Sequence, residues 1–379
     1  MTGPSYPAAQ AVAPKVRLHF ANHLAAERKR GRTHLALAPD SAVIESIIDA
    51  AFWASLRREE TYAPKISLAY LTPEQAEHPL LLEQPLLLNA ESLARLAPAV
   101  ERPGIHLGVC QVGSDLAVWG ATRNLPSICF VIEVVAPGLL VIKHRVSEES
   151  GKFVNVAVLE GDQIKILNSQ PIDMPDSPPV VKSLLGLNSA AAGIDSLNVL
   201  LHLAVSMRQH GRGGSLLVVP SDSQNWRESI VQPSPYAVSP IYSELAHLMG
   251  RNREDRNGRP HQEAIRRVID TVAGLTAVDG ATILTDKFEL IAFGVKIGRP
   301  DGAMRIEQVI ESEPIEGAVV RILHPTQLGG TRHLSAAQFA QDQRDAVALV
   351  ASQDGRFTVF AWSLSRDMVY AYRVEALLL

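Results

Sequence analysis

The feature that most limits what this chain can become is a proline cluster near its middle. Pro171, Pro175, Pro178 and Pro179 all fall within the twelve residues 168–179. Proline fixes φ and has no amide N–H, so neither a helix nor a central strand runs through such a stretch. Each side must then bury its own core, and 379 residues are enough for two. The expected organisation is a lead-in over residues 1–14, a domain over 15–168, a proline-rich linker over 169–193 and a second domain over 194–379. The lead-in carries Pro4, Pro7 and Pro14 and reads as disordered. It lacks the basic start and apolar core of a signal peptide.

The two halves differ in pattern. Residues 16–30 are amphipathic with a basic end, Arg28-Lys29-Arg30, which suits a helix C-terminus. Ser41 stands where a cap belongs, ahead of Val43, Ile44, Ile47, Ile48, Ala51 and Phe52 at helical spacing. Apolar runs of strand type follow at 65–71, 85–88, 107–112, 116–121, 128–135, 139–144, 153–159 and 164–167. Short turns join several of them: Gly113-Ser114-Asp115, Pro137-Gly138 and Gly161-Asp162. The first domain is therefore expected to be α+β and β-rich. In the second, helical patterns at 194–209, 241–249, 264–275 and 335–343 interleave with strands at 215–219, 281–284, 290–295, 318–323, 346–351 and 357–362. A loop is expected over 298–316. That alternation argues an α/β fold, a mixed sheet flanked by helices.

Charge and cysteine usage exclude several classes. The formal net charge of -4 gives no basic field for nucleic acid. Two cysteines, Cys110 and Cys129, cannot build a disulfide framework, and a reducing cytoplasm suits them. The longest apolar stretch, 128–142, contains Glu133 and the turn pair Pro137-Gly138 and is shorter than the ~20 residues of a spanning helix. The expectation is a cytoplasmic protein with no membrane or nucleic-acid partner.

Two short stretches carry candidate chemistry. Asp279-Gly280-Ala281 opens the apolar run Thr282-Ile283-Leu284 at a helix-to-strand junction. A carboxylate there can reach Mg2+ or Mn2+, although Asp-Gly pairs are commonly plain turns and the chain has two more. The second stretch is Gly329-Gly330-Thr331-Arg332-His333, just ahead of a helical pattern. Exposed amides, a hydroxyl, a forked cation and an imidazole suit a polyphosphate. The same residues also fit a glycine turn with Thr331 as a helix cap. His144 and the arginines of the polar loop at 250–260 read as surface groups. There is no Walker A sequence, dinucleotide-type glycine fingerprint or His-Glu-x-x-His motif.

Four blocks stand out within 195–379: His210-Gly211-Arg212-Gly213-Gly214-Ser215-Leu216-Leu217-Val218-Val219; Ser239-Pro240-Ile241-Tyr242-Ser243-Glu244-Leu245, taken as a helix; Asp279-Gly280-Ala281; and Gly330-Thr331-Arg332-His333. In their order and spacing they resemble the diadenylate cyclase domain, the catalytic domain of DisA and its relatives. Ser352 falls where that family has a phosphate-contacting serine. The resemblance implies condensation of two ATP into cyclic di-AMP with release of two pyrophosphates. It further implies that Asp279 holds Mg2+ or Mn2+ and readies the 3′-hydroxyl. Gly330, Thr331, Arg332, His333 and Ser352 would hold the triphosphate, with backbone near Gly280, Ala281 and Ile297 lining adenine and ribose. One site takes one ATP, so a homo-oligomer with face-to-face sites is expected.

The chain departs from the family after His333, where a second arginine is replaced by Leu334, or by Ser335 with a one-residue insertion. A nucleotide-binding module with weak or no turnover is the alternative that this departure leaves open. The front half is similar to the soluble sensor-like domains that precede some diadenylate cyclase domains. That likeness rests on Leu116-Ala117-Val118-Trp119-Gly120 and Pro137-Gly138-Leu139-Leu140-Val141-Ile142.

Overall fold

A computed structural model describes residues 6–58, 63–146, 153–167, 197–250 and 259–379. The linker expected at 169–193 and most of the polar loop at 250–260 lie outside the described residues. The chain divides into two compact units, Met1–Ser169 with Leu379, and Gln170–Leu378. Both are mixed α/β, each built on one mixed sheet.

The first unit has helices α1 (Pro7–Lys29), α2 (Ser41–Ser55) and α3 (Ala90–Val100). Its strands are β1 (Ile66–Tyr70), β2 (Leu80–Leu87), β3 (His106–Val112), β4 (Asp115–Thr122), β5 (Phe130–Ala136), β6 (Leu139–Arg145), β7 (Phe153–Glu160) and β8 (Gln163–Ile166). They lie in the order β2-β4-β3-β1-β5-β6-β7-β8. The β1–β3 pair is parallel and the other neighbours are antiparallel. Asp40, not Ser41, caps α2, its carboxylate accepting from the Val43 amide at 2.8 Å. The helical stripe Ile44, Ile47 and Ile48 is fully buried and packs with Ile66, Leu68 and Ile132 of the sheet. Each such side chain contributes about 1.5–3 kcal/mol through removal from water. The opposite face of β1 points Ala69 at a smaller cluster with Trp119, Cys110 and Cys129. β1 is therefore apolar on both sides, as a central strand must be.

Two corrections apply to this unit. The segment expected to be disordered is helical from Pro7, which occupies the first turn where its missing N–H is no loss. Ala8, Ala9, Val12 and Ala13 are buried, and that burial offsets the kink-prone Pro14 inside the helix. Helix α3 was not expected from the pattern, because Pro98 lies within its last turns; Asn89 caps it through the Ser92 amide at 2.8 Å.

The second unit has helices α4 (Leu197–Gln209), α5 (Glu244–Met249), α6 (Arg259–Leu275) and α7 (Thr331–Asp342). Its strands are β9 (Gly214–Val219), β10 (Tyr236–Tyr242), β11 (Ala281–Thr285), β12 (Leu290–Val295), β13 (Val309–Ser312), β14 (Arg321–Leu323), β15 (Val347–Ala351), β16 (Phe357–Ser363) and β17 (Met368–Arg373). Their order is β10-β12-β11-β9-β15-β16-β17-β13-β14. Alternation along β9 sends Leu216 and Val218 to the core under α4, α5 and α6, and Leu217 and Val219 to the core under α7. The result is three layers with β9 near the middle of the sheet.

The structure differs from the sequence pattern at five places here. The block 239–245, expected to be helical, runs as strand β10 through Tyr242 before α5 begins. Pro240 is tolerated because β10 is an edge strand with no further partner. The expected loop 298–316 contains β13, and the expected strand 318–323 shrinks to β14. Helix α7 begins at Thr331, four residues before the expected 335, with Gly330 as its N-cap. β17 was not expected at all; Tyr370 and Tyr372, stacked with centroids 5.2 Å apart, belong to it.

Candidate functional site

Strand register gathers most of the candidate residues of the second unit at one end of the sheet. β11 runs parallel to β9 with Ala281 opposite Ser215. β15 runs antiparallel to β9 with Ala351 opposite Gly214, and β12 antiparallel to β11 with Val295 opposite Ala281. The residues just past those pairs are Asp279-Gly280, Gly213, Ser352 and Ile297. They therefore sit side by side where β9 and β11 begin and β12 and β15 finish. Neighbouring strands are about 4.8 Å apart, so this end spans the width of a nucleotide.

Helix α7 delivers Arg332 to the same place. A Cβ on Gly213 would lie 3.1 Å from Arg332 Nη1 and 3.2 Å from the Ala351 carbonyl oxygen. Gly213 has φ +69, a left-handed backbone that suits glycine. Arg332 is half-buried and has no salt-bridge partner among the described residues; Asp279 is exposed and likewise has none. A carboxylate and a guanidinium therefore share one sheet end without neutralising each other.

Glycines keep this end thin. Gly280 has φ +108, and a Cβ there would meet the Gly294 carbonyl carbon at 2.5 Å and the Val295 oxygen at 2.7 Å. Beside them, Tyr236 stacks on Phe293 with centroids 5.0 Å apart and packs over Gly294, leaving half of its own surface exposed. The Gly211–Gly214 lead-in is held from below. The buried Thr276 hydroxyl donates to the Ala273 carbonyl at 2.6 Å, so it accepts from His210 Nε2 at 3.1 Å. His210 Nδ1 in turn accepts from the Arg212 amide at 3.1 Å. Burial, and after it Arg212, lowers the His210 pKa, consistent with this neutral tautomer. The sequence pattern missed this clasp, since nothing near Thr276 marks it.

The expected phosphate stretch splits in two. Gly330 and Thr331 are exposed at the start of α7, where first-turn amides have no intrahelical partner. His333 turns inward and is 2 % exposed, packed against Gly329 and edge-on to Phe360 at 6.0 Å. Burial lowers its pKa, so it is a neutral ring, and its Nε2 has no hydrogen-bond partner. Ser352 is half-buried in the turn that closes with its amide donating to Arg356 O at 2.9 Å. Ala281 is buried in β11, while Ile297 is half-buried and bridges to Ile230. Leu334, where the resembled family has its second arginine, packs against the α7-side core.

The first unit has a cavity of about 480 Å3 on its β2–β4 edge, lined by His78, Leu80, Leu82, Leu96, Ile105 and Arg123 among others. Next to it, Trp119 packs over Gly108 and donates from Nε1 to the Leu71 carbonyl at 2.8 Å. Gly120 lies against the Leu80 carbonyl with no room for a side chain.

Residues 33–123 match the family DACNV, described as a probable sensor domain. The family is named for the N-terminal region of diadenylate cyclases, and the match associates this chain with the regulation of such enzymes. It covers α2, α3, β1–β4 and nearly all of the lining of the β2–β4 cavity, and it includes the Trp119-Gly120 pair. No curated protein matches the chain. Among the described residues, no helix is long and apolar enough to cross a membrane.

Proposed function

We propose that the second unit is a diadenylate cyclase, condensing two ATP into cyclic di-AMP with release of two pyrophosphates under the control of the sensor-type first unit. The observation that carries this reading is the convergence of Asp279, Gly213, Ser352 and Arg332 at one sheet end, in the order the family resemblance requires. In this reading Asp279 holds Mg2+ or Mn2+. An exposed carboxylate with no cationic partner fits that use, because Mg2+ takes one or two carboxylates and fills its other positions with phosphate oxygens and water. When bound, the ion makes the 3′-hydroxyl a better nucleophile and offsets phosphate charge.

The remaining work falls to the chain's own groups. Arg332 presents two parallel N–H donors to the leaving pyrophosphate. Gly330 and Thr331 supply first-turn amides and a hydroxyl, and Ser352 a second hydroxyl. The backbone at Gly213 and Gly280 meets the nucleotide, with Ala281 and Ile297 beneath the base. His333, buried behind Gly329, sets the helix start from inside. Phosphoryl transfer needs in-line placement more than covalent help, so two protomers facing each other supply the geometry.

Incubating the purified protein with ATP and Mn2+ or Mg2+, and detecting cyclic di-AMP by mass, tests the proposal. Product that scales with protein concentration more steeply than linearly supports face-to-face assembly. ATP retained without any product would instead favour a binding module, the reading that Leu334 packed into the core supports. Arg332→Ala is expected to lower product formation about 100-fold, the usual consequence of losing one charged donor to the transition state. Full activity in that variant would contradict the phosphate assignment.

A further inference from the structure

A cluster in the first unit stands apart from all of this. Among the described residues, His19, His23 and His144 each bring one ring nitrogen within 4.8 Å of the others. His19 and His23 are four residues apart on α1, so they lie on one face, and their rings stack at 4.0 Å. His144 is buried in β6, opposite Phe130 in the β5–β6 ladder. Phe20 of α1 packs on both Phe130 and His144, at 5.4 and 5.9 Å, and fixes the helix over that part of the sheet.

Hydrogen bonds decide which nitrogens are available. Backbone carbonyls only accept, so His23 Nδ1 must donate to the His19 carbonyl at 2.9 Å, and His144 Nδ1 to the Arg145 carbonyl at 3.2 Å. With Nδ1 so engaged, Nε2 is the nitrogen of each ring left to bind a metal, which is how metal-ligating histidines are commonly oriented. His19 Nε2 is buried and has no hydrogen-bond partner. Among the described residues, three imidazoles bring ring nitrogens together on no shared hydrogen-bond acceptor, an arrangement that packing alone does not explain. Burial, and then the neighbouring rings, pull His19 down to about 3; burial likewise lowers His144 to about 4. Glu27, a carboxylate whose charge acts on His144, is engaged by Arg30 at 2.6 Å and Arg32 at 2.9 Å.

We propose that His19, His23 and His144 form a site for a divalent transition-metal ion, of the zinc class, that ties α1 to β6. Imidazole nitrogen suits Zn2+ and its neighbours in the first row and not Mg2+ or Ca2+. Zinc–nitrogen bonds of about 2.0–2.1 Å put tetrahedral ligand atoms roughly 3.3 Å apart, so small rotations of the two partly exposed rings close the site. Three protein ligands leave a fourth position for water or an exogenous ligand, and the half-exposed His19 and His23 leave a path to it. The site uses none of the residues assigned to nucleotide chemistry and stands whether or not that assignment does.

The test uses the full chain, stripped with chelator, free of nucleotide, and titrated with Zn2+ or Co2+. The expected result is one tightly held equivalent per chain, a Co2+ spectrum of a four-coordinate imidazole site, and a metal-dependent rise in Tm. His19→Gln and His23→Gln, both at partly exposed positions, are expected to weaken binding by more than about tenfold, the least that loss of even a supporting hydrogen bond costs such a site. Their circular dichroism should match the parent. Asp279→Asn should retain the equivalent. Unchanged stoichiometry and affinity in both histidine variants, failure of the parent to hold an equivalent, or loss of it in Asp279→Asn would each overturn the site.

Discussion

Asp279→Asn is expected to reduce cyclic di-AMP formation by on the order of 10³-fold, to background in an ordinary assay, while the protein remains folded. The substitution conserves shape and removes only the charge. Asp279 is exposed and has no salt-bridge partner among the described residues, so folding stability should change by no more than about 0.5 kcal/mol. ATP affinity should survive in part, because in the proposed reading the phosphates are held by Arg332 and the start of α7. The measurements are initial rates by mass detection, with nucleotide binding and thermal unfolding in parallel. Turnover equal to the parent would remove Asp279 from the chemistry. A large loss of stability would mean that the carboxylate is structural.

Gly280→Ala, one residue along, is expected to behave in the opposite way. At φ +108 an alanine is strained, and its methyl would lie 2.5 Å from the Gly294 carbonyl carbon, which is backbone and cannot swing aside. Backbone strain and overpacking together should cost about 3 kcal/mol. For a unit of this size that lowers Tm by roughly 6–12 °C. Activity falls with the folded fraction and with the displaced Asp279. Gly330→Ala is the matched control: its backbone has φ -78 and a Cβ there would meet nothing within 4 Å. Its cost should stay under about 1 kcal/mol. Chemical denaturation of the three proteins separates the cases, and equal midpoints would refute the steric argument.

Much of the architecture could be read from residue patterns, and the failures have physical causes. Strands with both faces apolar, such as β9 and β15, were readable because fully buried strands leave an unbroken hydrophobic run. The hairpin turns at Gly113, Gly138 and Gly161 were readable because the positive φ that each adopts favours glycine, which the sequence shows. Edge elements were not. β10 contains Pro240 and exposes Ile241 and Tyr236, so neither alternation nor burial marks it. α1 was cut short because three prolines outweighed the small apolar residues between them, whose burial in the core of the first unit is a tertiary effect. At the candidate site, Asp279, Arg332 and Ser352 stood out by residue type, but only strand register joins them. His333 looked like a surface ligand and is a core side chain, since nothing local tells which way the third residue of a helix turns. The His19–His23–His144 cluster was invisible because His144 is remote in sequence and was read as a surface group, and only the fold brings β6 beside α1.

The order β11-β9-β15 has a further result for how the protein comes into being. Gly213 and Asp279 emerge from the ribosome well before α7 and β15, yet β15 is the partner that fixes Gly214 opposite Ala351. Non-local pairing of this kind forms late, after the intervening chain is made. In a nascent or C-terminally truncated chain the sheet end that gathers Asp279 and Arg332 does not yet exist. Translation delivers the residues of the sensor-type match, 33–123, well before the strand that completes this sheet end.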